Sequence, residues 1–243
     1  HWFGKSVAIN GSYALVGAPK NDGNNGSAYL YKFSESGNVL SIDNSYRILL
    51  SEPAGGDQFG GSVAINGNYA LVGGVYYGIP GKSNVGSAYL YKFSESGIAT
   101  FTIDNSYRIL ASNITTDHFF GYTVAINGSY ALVGGTGKDN FKGSAYLYKF
   151  SESGNASFTI DNSYRILVSN LDSYDQFGAS VAIHGNYALV GAFGTDGINN
   201  TFSAAGSAYL YKFTENGNAS FTIDNSLQIL ASDISAGDQF GYS

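Results

Sequence analysis

Phe59-Gly60-Gly61-Ser62-Val63-Ala64-Ile65-Asn66-Gly67-Asn68-Tyr69-Ala70-Leu71-Val72-Gly73-Gly74 is the stretch that decides the fold. Ser62–Ile65 and Tyr69–Val72 are short apolar runs joined by Asn66-Gly67-Asn68, and Asn-Gly supplies the positive φ angles of a type I′ hairpin turn. Two adjacent strands, buried on both faces, are expected. Further along, Ala88–Phe93 places Tyr89, Tyr91 and Phe93 on one face and Ala88, Leu90 and Lys92 on the other, by period-two alternation. These aromatics should pack between neighbouring sheets. Ser94-Glu95-Ser96-Gly97 then turns the chain into Phe101–Leu110, where Phe101, Ile103, Tyr107 and Ile109 alternate with Thr102, Asp104, Ser106 and Arg108. That pattern predicts a half-exposed fourth strand.

The unit is repeated. The hairpin returns at Asn10-Gly11, Asn127-Gly128 and, with His for Asn, His184-Gly185. Gly-Ser-Ala-Tyr-Leu-Tyr-Lys-Phe occurs at Gly26–Phe33, Gly86–Phe93, Gly143–Phe150 and Gly206–Phe213. Phe-Gly opens each unit at Phe3, Phe59, Phe120 and Phe177 and comes back at Phe240. The period of roughly 59 residues is that of a propeller blade rather than a leucine-rich or ankyrin unit. Four antiparallel strands graded from buried to half-solvated, repeated four times, predict an all-β propeller of four-stranded blades. No stretch shows 3.6-residue apolar spacing over ten positions, and a β-sandwich would not need four copies of one unit. The blades run approximately over 3–56, 57–116, 117–174 and 175–236, all in one repeat domain, and 237–243 opens a fifth. A closed ring of four needs no fifth start. The alternatives are a short overlapping latch at Phe240, or a segment of a larger propeller or open array whose end blades expose apolar faces for another copy to cover.

Composition narrows the partners. The 243 residues carry a net charge of −6, with 12% charged residues, 33 Gly, 20 Tyr and 16 Phe. Lys and Arg are nowhere clustered, so nucleic acid is an unexpected partner. No apolar run approaches the roughly 20 residues of a membrane helix, and membrane insertion is not expected. There is no Cys, which removes disulfides, thiolate metal sites and a Cys nucleophile. There is no Met either, which predicts a processed product or an excerpt of a longer chain. Seven Asn-X-Ser/Thr sequons, at Asn10, Asn25, Asn113, Asn127, Asn155, Asn199 and Asn218, are glycosylation candidates if the protein is secreted, although Asn, Gly and Ser also suit tight turns.

Phe59–Ile65, Tyr69–Gly74 and Gly86–Tyr91 together resemble the FG-GAP repeat of integrin α-subunit propellers and of many bacterial surface proteins. Gly17-Ala18-Pro19 keeps the second half of that name. The resemblance extends over essentially the whole chain. It implies an extracellular propeller used for adhesion or ligand display, often with seven blades, and it implies no activity. Many repeats of this family bind calcium through an Asp-rich loop between the first two strands. Here that loop is only Asn10-Gly11-Ser12, Asn66-Gly67-Asn68, Asn127-Gly128-Ser129 or His184-Gly185-Asn186. Hard cations want several carboxylate and carbonyl oxygens. With no carboxylate in these turns, the family's calcium sites do not carry over, and no cofactor is expected. Asp22, Asp139 and Asp196, in the loops between second and third strands, are weaker metal candidates; one carboxylate per loop is more often a turn cap.

Those loops are also where the repeats differ. Gly17 to Gly26 and Gly134 to Gly143 are 9 residues apart, Gly73 to Gly86 is 13 and Gly191 to Gly206 is 15. Closure entropy grows only logarithmically, so loops absorb length changes cheaply. In a propeller they emerge on one face as a variable rim. Tyr76, Tyr77, Pro80, Phe141, Phe193 and Phe202 are the ligand-binding candidates there, set against the alternative that they cover loop bases or pack between chains.

Other recurring features read as structural. Asp57, Asp117, Asp175 and Asp238 sit just ahead of Phe-Gly, placed to cap the following turn. Asp43/Arg47, Asp104/Arg108 and Asp161/Arg165 lie four apart on the outer strand and predict surface ion pairs on one face. His1, His118 and His184 fall at different phases with no Ser/His/Asp pattern, so no catalytic residues are expected and the chain is not read as an enzyme. His1 stands where Asp57 stands in the next unit. The reading is a non-enzymatic extracellular structural or adhesive repeat protein of a cell surface or filament, self-assembling head to tail. The alternative is a discrete ligand-binding propeller, lectin-like or integrin-like, recognising glycan or protein through the variable loops.

Overall fold

A computed structural model describes residues 1–53, 55–96, 100–153, 157–196, 203–216 and 220–243. They form four antiparallel four-stranded sheets, each meandering in sequence order from an inner to an outer strand. The first blade holds β1 (Ser6–Asn10), β2 (Tyr13–Ala18), β3 (Ser27–Ser36) and β4 (Val39–Ile48). The second holds β5 (Phe59–Asn66), β6 (Tyr69–Gly74), β7 (Ser87–Glu95) and β8 (Phe101–Ile109). In the third are β9 (Phe120–Asn127), β10 (Tyr130–Gly135), β11 (Ser144–Ser153) and β12 (Ser157–Ile166). The fourth contains β13 (Ser180–His184), β14 (Tyr187–Ala192), β15 (Ser207–Asn216) and β16 (Ser220–Ile229). The predicted four-blade, all-β architecture is the one observed. No helix among the described residues is long and apolar enough to cross a membrane.

The inner hairpin differs from the expected turn. Asn10 pairs with Tyr13 as the last residue of its strand, so the two central turn residues are Gly11 and Ser12. Gly11 has φ 57° while Ser12 is not in the positive region, the signature of a type II′ turn with Gly first rather than type I′. The Asn side chain is thereby left to bond elsewhere. Asn10 Oδ1 accepts a hydrogen bond from Gly67 N at 2.8 Å, across to the next blade. Asn66 does the same to Gly128 and Asn127 to Gly185, each at 2.9 Å.

The outer strand also departs from simple alternation. Lys32 pairs with Asn44 and Phe33 with Ile42, leaving Asp43 as an extra bulge residue, and the shift recurs in all four blades. A bulge reverses the parity of everything beyond it. Asp43 therefore turns to Ser34 and Ser41, at 2.8 and 3.1 Å, while Arg47 lies on the other face and donates to Ser27 Oγ. The expected Asp43/Arg47, Asp104/Arg108 and Asp161/Arg165 pairs do not form, because residues four apart here are on opposite faces. Asp104 and Asp161 accept from Ser94 and Ser151 instead, both at 2.7 Å.

Each blade has two unlike faces, and unlike faces meet. The face bearing Ala28, Leu30 and Lys32 packs on the following blade's Tyr89, Tyr91 and Phe93 face. Tyr13 packs edge-on against Phe93 at 5.1 Å, Tyr69 against Phe150 and Tyr130 against Phe213 at 5.4 Å. Toward the rim, Lys32–Glu95, Lys92–Glu152 and Lys149–Glu215 bridge successive blades at 2.5–2.6 Å. At the inner end each Phe-Gly makes a parallel backbone bridge to the glycine before the preceding blade's third strand: Gly26 to Phe59, Gly86 to Phe120, Gly143 to Phe177 and Gly206 to Phe240. Residues around Phe240 thus sit where a fifth blade begins.

Blade backbones approach closely at Gly73, where an added Cβ would lie 2.0 Å from the carbonyl oxygen of Gly121 in the next blade. No rotamer relieves a clash between two main chains. Gly73→Ala should cost about 2–3 kcal/mol by overpacking, whereas Gly67→Ala, strained by φ 56° but facing open space, should cost only about 1 kcal/mol. Urea unfolding of the two variants should show that order.

Candidate functional site

The Phe-Gly segments of all four blades converge on a central concavity of about 470 Å³. Its wall is aromatic where the repeat is usually polar or small. Immediately before Phe-Gly the repeats carry Trp2, Gln58, Phe119, Gln176 and Gln239, all with φ between 51° and 54°, a single shared backbone shape with different side chains. One residue after Phe-Gly stand Lys5, Gly61, Tyr122, Ala179 and Tyr242. Trp2, Tyr122 and Tyr242 line the cavity with Tyr76 and Phe193 from the loops. Of the five, only Tyr76 and Phe193 were picked out from the sequence. The signal for the rest was available in aromatic replacements at these two repeat positions.

The other predicted loop residues have separate fates. Tyr77 is buried, 9% exposed, and its hydroxyl accepts a hydrogen bond from Arg108, whose guanidinium also lies 4.9 Å from the ring centre. It is a structural clamp and offers no surface. Pro80 is exposed at a loop tip. Phe141 stacks on Tyr174 at 5.6 Å with planes 9° apart, and Phe119 lies between Phe141 and Tyr76, at 6.1 and 5.6 Å. Phe193 rests on Tyr242 at 5.0 Å. Phe202 lies outside the described residues, as do Asn155, Asn199 and Asn218. The remaining sequon asparagines are structurally engaged: besides Asn10 and Asn127, Asn25 Oδ1 accepts from Gly56 N and Asn113 Oδ1 from the Tyr146 hydroxyl.

The metal candidates are dispersed, one to a loop. Asp139 is held by Lys138 at 3.1 Å and Arg165 at 3.3 Å; burial pushes its carboxyl up, but the two cations outweigh that and hold it below the usual range. Asp196 Oδ1 caps Ala204 N at 3.0 Å, and Asp22 is exposed in a single 3-10 turn. Among the described residues no three His, Asp or Glu side chains gather as a metal set.

His118 occupies the place expected for Asp117. Its neighbour Phe119 shares the backbone shape of Gln58, so His118, not Asp117, is the counterpart of Asp57, Asp175 and Asp238, and Asp117 stands one place earlier, at the positive-φ position of Gly56, Tyr174 and Gly237. The capping direction also differs from expectation. Asp175 and Asp238 accept from the turn before them, at Asp172 N and Ser235 N, rather than from the turn after. His118 is fully buried, with Nε2 3.0 Å from Ser144 Oγ and 3.1 Å from the Tyr146 hydroxyl. Both hydroxyls donate elsewhere, to Gly135 O and Asn113 Oδ1, so Nε2 carries the proton and Nδ1 is left without a partner. Burial first, then the Lys138 and Arg165 charges, lower its pKa to about 4.

The geometry defines a class: a β-propeller-type repeat protein whose blades join through unlike faces around an aromatic concavity. The FG-GAP repeat matches residues 1–31, 44–91, 105–148 and 162–211, and the chain belongs to that family. FG-GAP repeats are typically extracellular adhesion or ligand-binding repeats and are generally non-enzymatic. A comparison with curated proteins finds no match.

The buried histidine gives a pH signature. Below pH 6.5 the unfolded chain takes up a proton that folded His118 refuses until about pH 4, so stability present above pH 6.5 is lost as pH falls through that window. The full loss amounts to about 3 kcal/mol. Urea unfolding of the protein and of His118→Asn at pH 7 and pH 4.5 should show a markedly shallower pH dependence in the variant.

Proposed function

We propose that this chain is a non-enzymatic structural or adhesive element of an extracellular surface or filament, whose end blades dock head to tail on a second copy. The observation that carries this reading is the state of the two terminal faces. On the first blade the tyrosine-bearing face, covered in every other blade, leaves Ile9 70%, Leu40 71% and Ile42 63% exposed. On the fourth the leucine-bearing face leaves Leu189 37% and Tyr187 47% exposed, while Leu132, the counterpart of Leu189 in the third blade, is fully buried. Each is half of an interface already used three times within the chain.

The halves match position by position. Tyr187 is the counterpart of Tyr13, Tyr69 and Tyr130, and on an incoming first blade it meets Phe33 and Leu40, which take the places of Phe93 and Phe101. Lys212 is the counterpart of Lys149, and Glu35 that of Glu95. Phe240-Gly241 already fill the berth of an incoming Phe-Gly, so the docking blade contributes from Ser6 onward. Burying leucine- and phenylalanine-sized side chains contributes about 1.5–3 kcal/mol each, and several line each face.

A second reading, ligand recognition of glycan or protein through the loops, is favoured by the run of touching rings from Tyr76 through Phe119 and Phe141 to Tyr174. Light scattering with negative-stain microscopy decides between assembly and an isolated module. Assembly predicts particles larger than the 25.6 kDa chain, dissociation by Leu189→Asp, weakening by Lys212→Glu, and recovery when Glu35→Lys is added. A compact monomer at every concentration overturns it.

A further inference from the structure

Beyond the terminal faces, the central concavity has the makings of a site of its own. Trp2 is 58% exposed, Tyr242 57%, and Tyr76 and Tyr122 each 40%, so open ring surface faces a space within the range of small-ligand pockets. The rings are braced. Lys20 Nζ lies 4.9 Å from the Trp2 ring centre, Tyr76 packs edge-on against Phe119, and Tyr242 is held by Phe193. A ligand landing on them finds little rotamer freedom left to remove. Burial, then Tyr242 and Tyr76, push the Tyr122 hydroxyl up.

Apart from Lys5, the polar side chains in the wall are neutral and retain capacity. Ser62 Oγ accepts from Val124 N and keeps its own proton to donate; Thr123 Oγ1 and Ser180 Oγ donate to Gly178 O and Gly241 O and keep lone pairs to accept. Gln58 adds an amide. Among the described residues of this wall Lys5 is the one cationic side chain, and none is Asp or Glu. A single lysine is poor neutralisation for a polyanion. An aromatic cage alone suits a quaternary ammonium, but Lys5 in the wall and Lys20 over Trp2 repel a cation. What fits aromatic faces alternating with uncharged donors and acceptors is a molecule with apolar C–H faces and a rim of hydroxyls. We propose that the central concavity binds a neutral glycan, its sugar rings lying on Trp2, Tyr122 and Tyr242 and its hydroxyls bonding to Gln58, Ser62, Thr123 and Ser180. The site adjoins the fourth blade's terminal face at Ser180 and Tyr242, but its aromatic wall is complete within one chain.

The chain contains a single Trp, so its emission reports this site alone. Cellohexaose, chitohexaose and laminarihexaose are titrated separately up to about 10 mM, a Kd range typical of weak binding, with choline and a neutral glycine-serine peptide as controls. At least one hexaose should shift the Trp2 emission saturably. Tyr122→Ala and Tyr242→Ala, checked for folding by circular dichroism, should each weaken that response about tenfold or more, a loss of about 1.4 kcal/mol, and Tyr187→Ala on the terminal face should leave it unchanged. The proposal is overturned by silence with all three hexaoses, by a response that survives both tyrosine variants, or by a response confined to choline or the peptide. Sedimentation of the same samples reads assembly separately, so either idea can fail without the other.

Discussion

Everything in this molecule hangs on how closely one blade's main chain approaches the next. A glycine on the second strand of each blade lies against the carbonyl of the next blade's Phe-Gly glycine, at a distance that no side chain permits. That contact fixes the separation of the sheets at their inner ends. It also presents the phenylalanine for its parallel bridge to the glycine ahead of the preceding blade's third strand. The Phe ring then turns back over the tyrosines of its own sheet, as Phe59 does at 5.4 Å from Tyr89. One spacing thus sets the backbone bridge, the aromatic packing and the reach of the lysines that meet glutamates at the rim. Because glycine is needed on both sides of the approach, the Phe-Gly and the glycines ending each second strand behave as one element.

From that constraint the two-faced character of the blades follows. Aliphatic residues and a lysine look one way, aromatics and a glutamate the other, and the bulge at Asp43 and its counterparts keeps the outer strand in step. The bulge matters because it sets Ile42 opposite Phe33 on the aromatic side. Were Asp43 held in register instead of bulged, Ile42 would fall on the same face as Tyr46 and leave the aromatic side. The inserted aspartate is satisfied locally by two hydroxyls, so the parity change leaves no stranded charge.

The repeat count, strand order and facing of residues were legible because period-two alternation and Phe-Gly recur four times, and random coincidence does not repeat in phase. Three features escaped. The outer-strand ion pairs failed because a bulge is invisible to alternation. The turn type failed because Asn10 looked like a turn residue when it is the strand end, and only register shows which. The identity of His118 with the Asp57 position failed because an aspartate, Asp117, substitutes at the neighbouring place held by Gly56 and Tyr174, and residue type alone points to it as the cap. The aromatic wall was half legible: Tyr76 and Phe193 announce themselves as loop aromatics, whereas Trp2, Tyr122 and Tyr242 hide beside a motif whose own regularity drew the eye.

The unlike faces also give the chain a sense of direction. At the three junctions within the chain an aliphatic side meets an aromatic side, so in the proposed head-to-tail docking every junction would point the same way. A surface built from such units has distinguishable ends, one presenting Tyr187 and Leu189 and the other Ile9 and Leu40. In such an assembly, growth at one end and anchoring at the other would be separate chemical events, addressed by different patches of the same small protein.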